Sequence, residues 1–161
     1  MNRVKKQNGT TLVELLLVMA IVGVFVQLVM PNFFRSQQRS SLGQAKEGFI
    51  RDVRTHQLAA QSGKTSASGA STVYSVRIEA HRYVLFEGDT FVASDPSNTV
   101  VALDSILALS TTIPNQTLTF SRISGDVVGY EAGSDTVTIT NTQTGDSVIM
   151  QINRRGVIIT L

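Results

Sequence analysis

Gly9-Thr10-Thr11-Leu12-Val13-Glu14, continued by LLLVMAIVGVFVQLVM at residues 15–30 and closed by Pro31, decides how this chain is read. The run is interrupted only by small Ala20, by Gly23 and by Gln27. Residues 10–30 number 21, and at ~1.5 Å per residue a helix of that length just spans the ~30 Å hydrocarbon layer of a bilayer. Lys5 and Lys6 precede the run, so the N-terminus is expected to stay cytoplasmic and the remainder to lie outside. A cleaved secretory signal has the same polarity, but its apolar core is shorter. It would also need a small-x-small site after the core, where this chain has Pro31-Asn32-Phe33-Phe34.

Glu14 is the unusual residue. A carboxylate near the edge of an apolar helix is costly unless it stays near the headgroups or finds a partner. One partner is local: with Thr11 as N-cap and Glu14 three residues on, the pair forms a capping box.

Together, Gly9-Thr10-Thr11-Leu12-Val13-Glu14 resembles the processing site of type IV prepilins and type II secretion pseudopilins. The resemblance implies cleavage after Gly9 by a prepilin peptidase, N-methylation of the new terminus Thr10, and Glu14 as the fifth residue of the mature chain. Most members carry phenylalanine where Thr10 stands. A carboxylate at Glu14, from the same or a neighbouring subunit, would offset the desolvation of the new amine and guide helix register. Pro31 also matches a frequent pilin feature, and a proline there kinks a helix by removing one backbone hydrogen bond.

Composition agrees with an exported, anchored subunit. Of 161 residues, 42% are apolar and only 16% charged, and the surplus of apolar residues sits at the N-terminus. The formal charge of +2 owes much to Arg3, Lys5 and Lys6. Without residues 1–9 the balance is 11 basic residues against 12 acidic, so overall basicity does not argue for a nucleic-acid partner. Cysteine is absent, which removes disulfides and thiolate metal sites.

Beyond Pro31 the helical pattern becomes amphipathic. Leu42, Ala45, Phe49, Val53 and Ala60 fall on one stripe, Arg35, Arg39, Lys46, Arg51 and Arg54 mostly on other faces, and Gly63 is a candidate C-cap. Such a helix, some 75–80 Å long, exceeds what one head domain covers. Residues 64–72 read as a loop, after which the period changes to two. Strands are expected at 73–79, 81–86, 116–123, 135–140, 147–152 and 157–161, with turns at Gly88-Asp89 and Asp95-Pro96-Ser97-Asn98. Phe91-Val92 could resume a strand, and 100–109 fits either strand or helix.

The expected fold is therefore α+β: a long N-terminal helix, membrane-spanning in its first half and amphipathic in its second, packed on a mostly antiparallel β-sheet head. The expected divisions are a leader at 1–9, a membrane or filament-core half at 10–31, an amphipathic half at 32–63 and a β-rich head at 64–161. Phe49-Ile50-Arg51-Asp52-Val53-Arg54, the ending Ala59-Ala60-Gln61-Ser62-Gly63 and a last hairpin around Gly156 resemble the GspH/FimT group of minor pilins and pseudopilins. The resemblance implies an inner-membrane precursor that enters a filament, with other pilin or pseudopilin subunits, the peptidase, an assembly platform and membrane lipid as partners.

No enzyme is expected, nor any cofactor or metal. His56 and His81 are isolated, and no metalloprotease pair, phosphate loop or nucleophile elbow occurs. Asp89, Asp126, Asp135 and Asp146 could gather around calcium, but each neighbours a turn glycine or serine, which explains it as turn chemistry. Arg154-Arg155-Gly156 reads first as a solvated hairpin turn. The FimT-like resemblance gives it a second reading, DNA contact through Arg154 and Arg155, with Arg122, Arg77 or Arg82 needed nearby. A further alternative is an unprocessed single-pass protein with an extracytoplasmic domain.

Overall fold

The computed structural model describes residues 11–63 and 73–161, without the side chains of residues 28–39. The leader, Gly9 and Thr10, and the 64–72 loop lie outside the described residues. The chain divides into two compact units, Met1–Arg39 and Ser40–Leu161.

Helix α1 occupies Leu12–Gln61. Its start is the expected one: the Thr11 hydroxyl accepts from the Glu14 amide at 3.4 Å, half of the capping box, and the Thr11 carbonyl accepts from Leu15. In the first unit every residue from 11 to 27 is exposed, including twelve large apolar side chains such as Leu12, Leu16, Val22 and Phe25. Helical backbone continues through Pro31. Among the described residues no helix is long and apolar enough to cross a membrane. The expected span at 10–31 extends beyond the described side chains at both ends.

The second unit holds the core. On its part of α1, Leu42, Phe49, Val53 and Ala60 are buried and Ala45 is half-buried, as the stripe requires. His56 fills the gap left between Val53 and Ala60, its ring edge-on to Tyr74 with centroids 5.5 Å apart. The helix ends at Gln61, followed by Gly63 at φ 62°, where its amide reaches the Ala60 carbonyl. Glycine closes a helix at low cost in this left-handed conformation.

Eight strands follow among the described residues, and they form two antiparallel sheets. Strands β1 (Tyr74–Glu79), β2 (Arg82–Glu87), β3 (Thr99–Ala102) and β5 (Thr117–Phe120) form the first, in the order β3-β2-β1-β5. Strands β4 (Leu107–Thr111), β6 (Thr136–Asn141), β7 (Ser147–Ile152) and β8 (Ile158–Thr160) form the second, in the order β4-β6-β7-β8. The ambiguous stretch 100–109 is thus strand on both sides of a turn. Asp104 makes that turn by accepting from the Leu107 amide, and the chain passes there from one sheet to the other.

Phe91 and Val92 form no strand. Phe91 instead lays its ring against Phe86, centroids 5.4 Å apart, and the Val92 carbonyl accepts from the Asp95 amide and the Asn98 side chain. The Asp95 carboxylate in turn accepts from Ser97, which holds it below the usual carboxylate range. Alternation from 116 to 123 gives a strand only as far as Phe120, because Ser121 turns back to the Asp126 carbonyl.

Inward-facing Val76, Ile78, Leu118 and Phe120 of the first sheet and Val137, Ile139, Met150 and Ile152 of the second join Phe49 and Val53 in one cluster. Two buried polar side chains beside it are hydrogen-bonded. Ser75 donates to the Gly88 carbonyl and pairs with the Thr119 hydroxyl at 3.0 Å, and the Asn141 side chain accepts from the Gln143 and Thr144 amides.

Candidate functional site

Three places carry chemistry. The first is the start of α1. An apolar helix with no polar stripe cannot bury one face in a head and leave the other in water, so its surface calls for a surround of lipid or other helices. Covering its twelve exposed large apolar side chains would be worth on the order of 10 kcal/mol or more. Glu14 is the sole carboxylate among residues 11–27, one turn into this surface.

The second place is where α1 holds the head through side-chain amides. Gln57 Nε2 donates to the carbonyls of Gly125, at 3.0 Å, and Arg155, at 2.6 Å. Gln61 Nε2 donates to the Ser124 carbonyl, and the Ile123 amide donates to the Ala60 carbonyl. The loop after β5 and the β7–β8 turn are therefore fastened to the same helix end. The turn itself is built on Asn153, whose side-chain oxygen accepts from the Arg155 and Val157 amides. Gly156 sits at φ 72°, and a Cβ there would lie 2.4 Å from Gln57 Nε2 and 3.0 Å from Phe120. Only glycine fits this approach.

The fastening brings Arg122, Arg154 and Arg155 to one end of the head, all exposed. Arg77 and Arg82 are engaged elsewhere, both with Glu79. Of the three arginines that the sequence offers as companions of the turn, Arg122 joins it while Arg77 and Arg82 do not, and Gln57 is a residue to which the sequence does not point. An amide on a half-buried helix face is a weak signal when its partners are backbone carbonyls some 70 and 100 positions away.

The third place is Tyr83, which packs edge-on against Phe49 with centroids 5.1 Å apart and donates to Asp52 at 2.7 Å. Burial, and then the Asp52 carboxylate, pushes its hydroxyl well above the ordinary tyrosine range. Asp52 is also held by Arg51 at 3.1 Å. The Phe49-to-Arg54 stretch thus anchors the helix with one ring and one carboxylate.

The histidines stand apart in structural settings: His56 against Tyr74, and His81 Nδ1 3.0 Å from the Leu107 carbonyl. Of the four aspartates, Asp146 stays within its turn, accepting from Thr144, and Asp89 accepts from neighbouring Thr90. Asp135 is different. Only 4% exposed, it accepts from Tyr130 and Gln151. Among the described residues no group of three or more metal-type ligands gathers.

Residues 4–26 match the prokaryotic N-terminal methylation motif. That match covers the basic start, Gly9, Thr10, Glu14 and most of the exposed apolar helix. No curated protein matches the chain. Among solved structures, the minor pseudopilin EpsH from the type 2 secretion system of Vibrio cholerae is similar, at 15% sequence identity and a TM-score of 0.49, over 75% of this chain and 96% of that one.

Proposed function

We propose that this chain is a minor pilin or pseudopilin, an assembly subunit of an extracytoplasmic filament. Prepilin peptidase would cut after Gly9 on the cytoplasmic side of the inner membrane and methylate Thr10. The helix would hold the subunit in the bilayer, N-terminus inside and head outside, until an assembly platform transfers it among other pilin or pseudopilin subunits. Glu14 would then pair with an N-terminal amine, and Pro31 would bend the helix between its two halves. The observation that carries this reading is the methylation-motif match at 4–26 lying on a helix whose described side chains, 12–27, are all exposed and almost all apolar.

The test is the intact mass and N-terminal sequence of the membrane-extracted protein, expressed with and without a prepilin peptidase, beside Gly9→Ala. Peptidase-dependent loss of residues 1–9 is expected, with Gly9→Ala uncut. An uncut wild-type chain would return it to the single-pass anchored alternative.

The shared fastening at Gln57 supports a second reading, in which Arg154 and Arg155, joined by Arg122, contact DNA phosphates on the assembled filament. Three guanidiniums imply a steep salt dependence. Binding to duplex DNA that vanishes in Arg154→Ala/Arg155→Ala, and weakens with salt, is the outcome that favours it.

A further inference from the structure

The two sheets of the head end in four edge strands, β3, β5, β4 and β8. Among the described residues, two of these edges are covered and a third is guarded. Strand β4 is bonded along its outer side to the β1–β2 turn: the Leu109 amide donates to the Ala80 carbonyl at 2.7 Å, and the Leu107 carbonyl lies 3.0 Å from His81 Nδ1. Strand β5 is covered by the segment after it, where Val127 bridges to Phe120 and the Val128 amide donates to the Thr119 carbonyl. Strand β3 lies between Asp95-Pro96 and Asp104, a proline and carboxylates of the kind that deter strand addition.

Strand β8 has none of these protections. The Leu161 amide donates to the Ile149 carbonyl and the Asn153 amide to the Val157 carbonyl, so residues 157, 159 and 161 turn their backbone groups toward β7. Alternation along the strand leaves the amides and carbonyls of Ile158 and Thr160 on the open side. Neither 147–152 nor 157–161 holds a charged residue or a proline. Val157, Ile159 and Leu161 all point to the outer face and are exposed, Leu161 by 72%. An apolar, uncharged edge with unpaired backbone groups is a template for one more strand, because only an extended chain offers donors and acceptors at the matching spacing.

We infer that β8 pairs antiparallel with β8 of a second copy of this chain, about a two-fold axis through Ile159. In this register Ile158 exchanges backbone hydrogen bonds with Thr160 of the partner subunit. Ile159 meets Ile159 of the partner subunit and Val157 meets Leu161 of the partner subunit, so two apolar rows cover one another. Charge selects the arrangement. Arg154 and Arg155 lie just ahead of β8, and antiparallel pairing sets the two arginine turns at opposite ends, whereas parallel pairing would set them side by side. Residues 157–161 are a short strand, so the contact is a transient one. A two-fold contact also closes on itself and cannot propagate, so in the filament reading this pair is a waiting form of the subunit. The pairing itself concerns the head alone and stands whether or not the N-terminus is processed.

The chain has no cysteine, so a single introduced thiol reports the contact directly. Full-length Ile159→Cys in detergent micelles, oxidised with copper phenanthroline, should form disulfide-linked dimers about tenfold faster than Ile123→Cys, because facing residues of a non-hydrogen-bonded antiparallel pair bring their Cβ atoms within bonding reach. Ile123 is the more exposed of the two sites, and association through α1 would favour both alike. Val157→Cys and Leu161→Cys should link to each other when mixed, and neither to itself. Added to Ile159→Cys, Thr160→Pro should slow linking about tenfold, since it deletes an amide on the open side and leaves the bonds to β7 in place. If that variant does not melt like its parent, Thr160→Lys decides, by placing a charge on the edge. Equal rates for Ile159→Cys and Ile123→Cys, self-linking of Val157→Cys as parallel pairing would give, or undiminished linking in the Thr160 variants would each overturn the assignment.

Discussion

Individual residues set two measurable properties of the head. The Tyr83 hydroxyl is held protonated by burial and by Asp52. A tyrosine whose folded pKa lies above its unfolded value of about 10 contributes stability that is complete below pH 10 and lost as pH climbs through the folded value. Alkaline melting of the head should therefore steepen above about pH 10. Tyr83→Phe should lower stability at neutral pH by about 1–2 kcal/mol and flatten that alkaline fall, as thermal unfolding between pH 7 and 11 would record. Gln57 sets the other property. Gln57→Leu keeps the bulk but leaves the Gly125 and Arg155 carbonyls without their donor, so a loss of about 1–3 kcal/mol is expected. In a melting curve this appears as a drop of several degrees. Unchanged melting would show that water serves those carbonyls equally well.

At the scale of elements, α1 is two helices in character. Its stripe through Leu42, Phe49, Val53 and Ala60 was legible because a 3.6-residue period survives any detail of the partner it packs on. Phe49→Ala should cost about 3–5 kcal/mol, whereas Leu58→Ala, at a position 63% exposed, should stay within about 0.5 kcal/mol; denaturant melts of the two variants side by side test the stripe directly. The strand positions were equally legible, since period-two alternation and turn glycines mark them. Division of the head into two sheets was not, because strand pairing is decided by contacts distant in sequence. The stretch 100–109 shows this well: its apolar run contains two strands bound for different sheets, and only the Asp104 turn separates them. Phe91-Val92 fits a resumed strand in the sequence, yet in the structure the Phe91 ring packs on Phe86 instead. The same limit hid the setting of Asp135. Asp135 sits beside a serine at the end of a turn and looks like turn chemistry until Tyr130 and Gln151 are seen to converge on it.

For the whole molecule, the two units have opposite demands on solvent. All buried core residues of the described chain lie between Leu42 and Ile158, within the second unit. A chain of residues 40–161 should consequently fold by itself and remain soluble without detergent, with one cooperative transition. The full-length protein should require micelles to stay dispersed. Size-exclusion chromatography with thermal melts checks both; a 40–161 chain lacking a cooperative melt would mean that the first unit contributes to the core.

The fastening of head to helix has a consequence for how such a surface can change over generations. Gln57 and Gln61 take hold of carbonyl oxygens at positions 124, 125 and 155, groups every amino acid supplies. Gly125 and Gly156 are constrained by their backbone and by the amides pressed against them, and Ser124 holds its own loop through Ser121 and the Asp126 amide, but the exposed side chains at 122, 154 and 155 make no contact that the anchor uses. Lineages could rewrite those three letters freely, altering what the head displays to the outside world while the frame beneath is inherited intact.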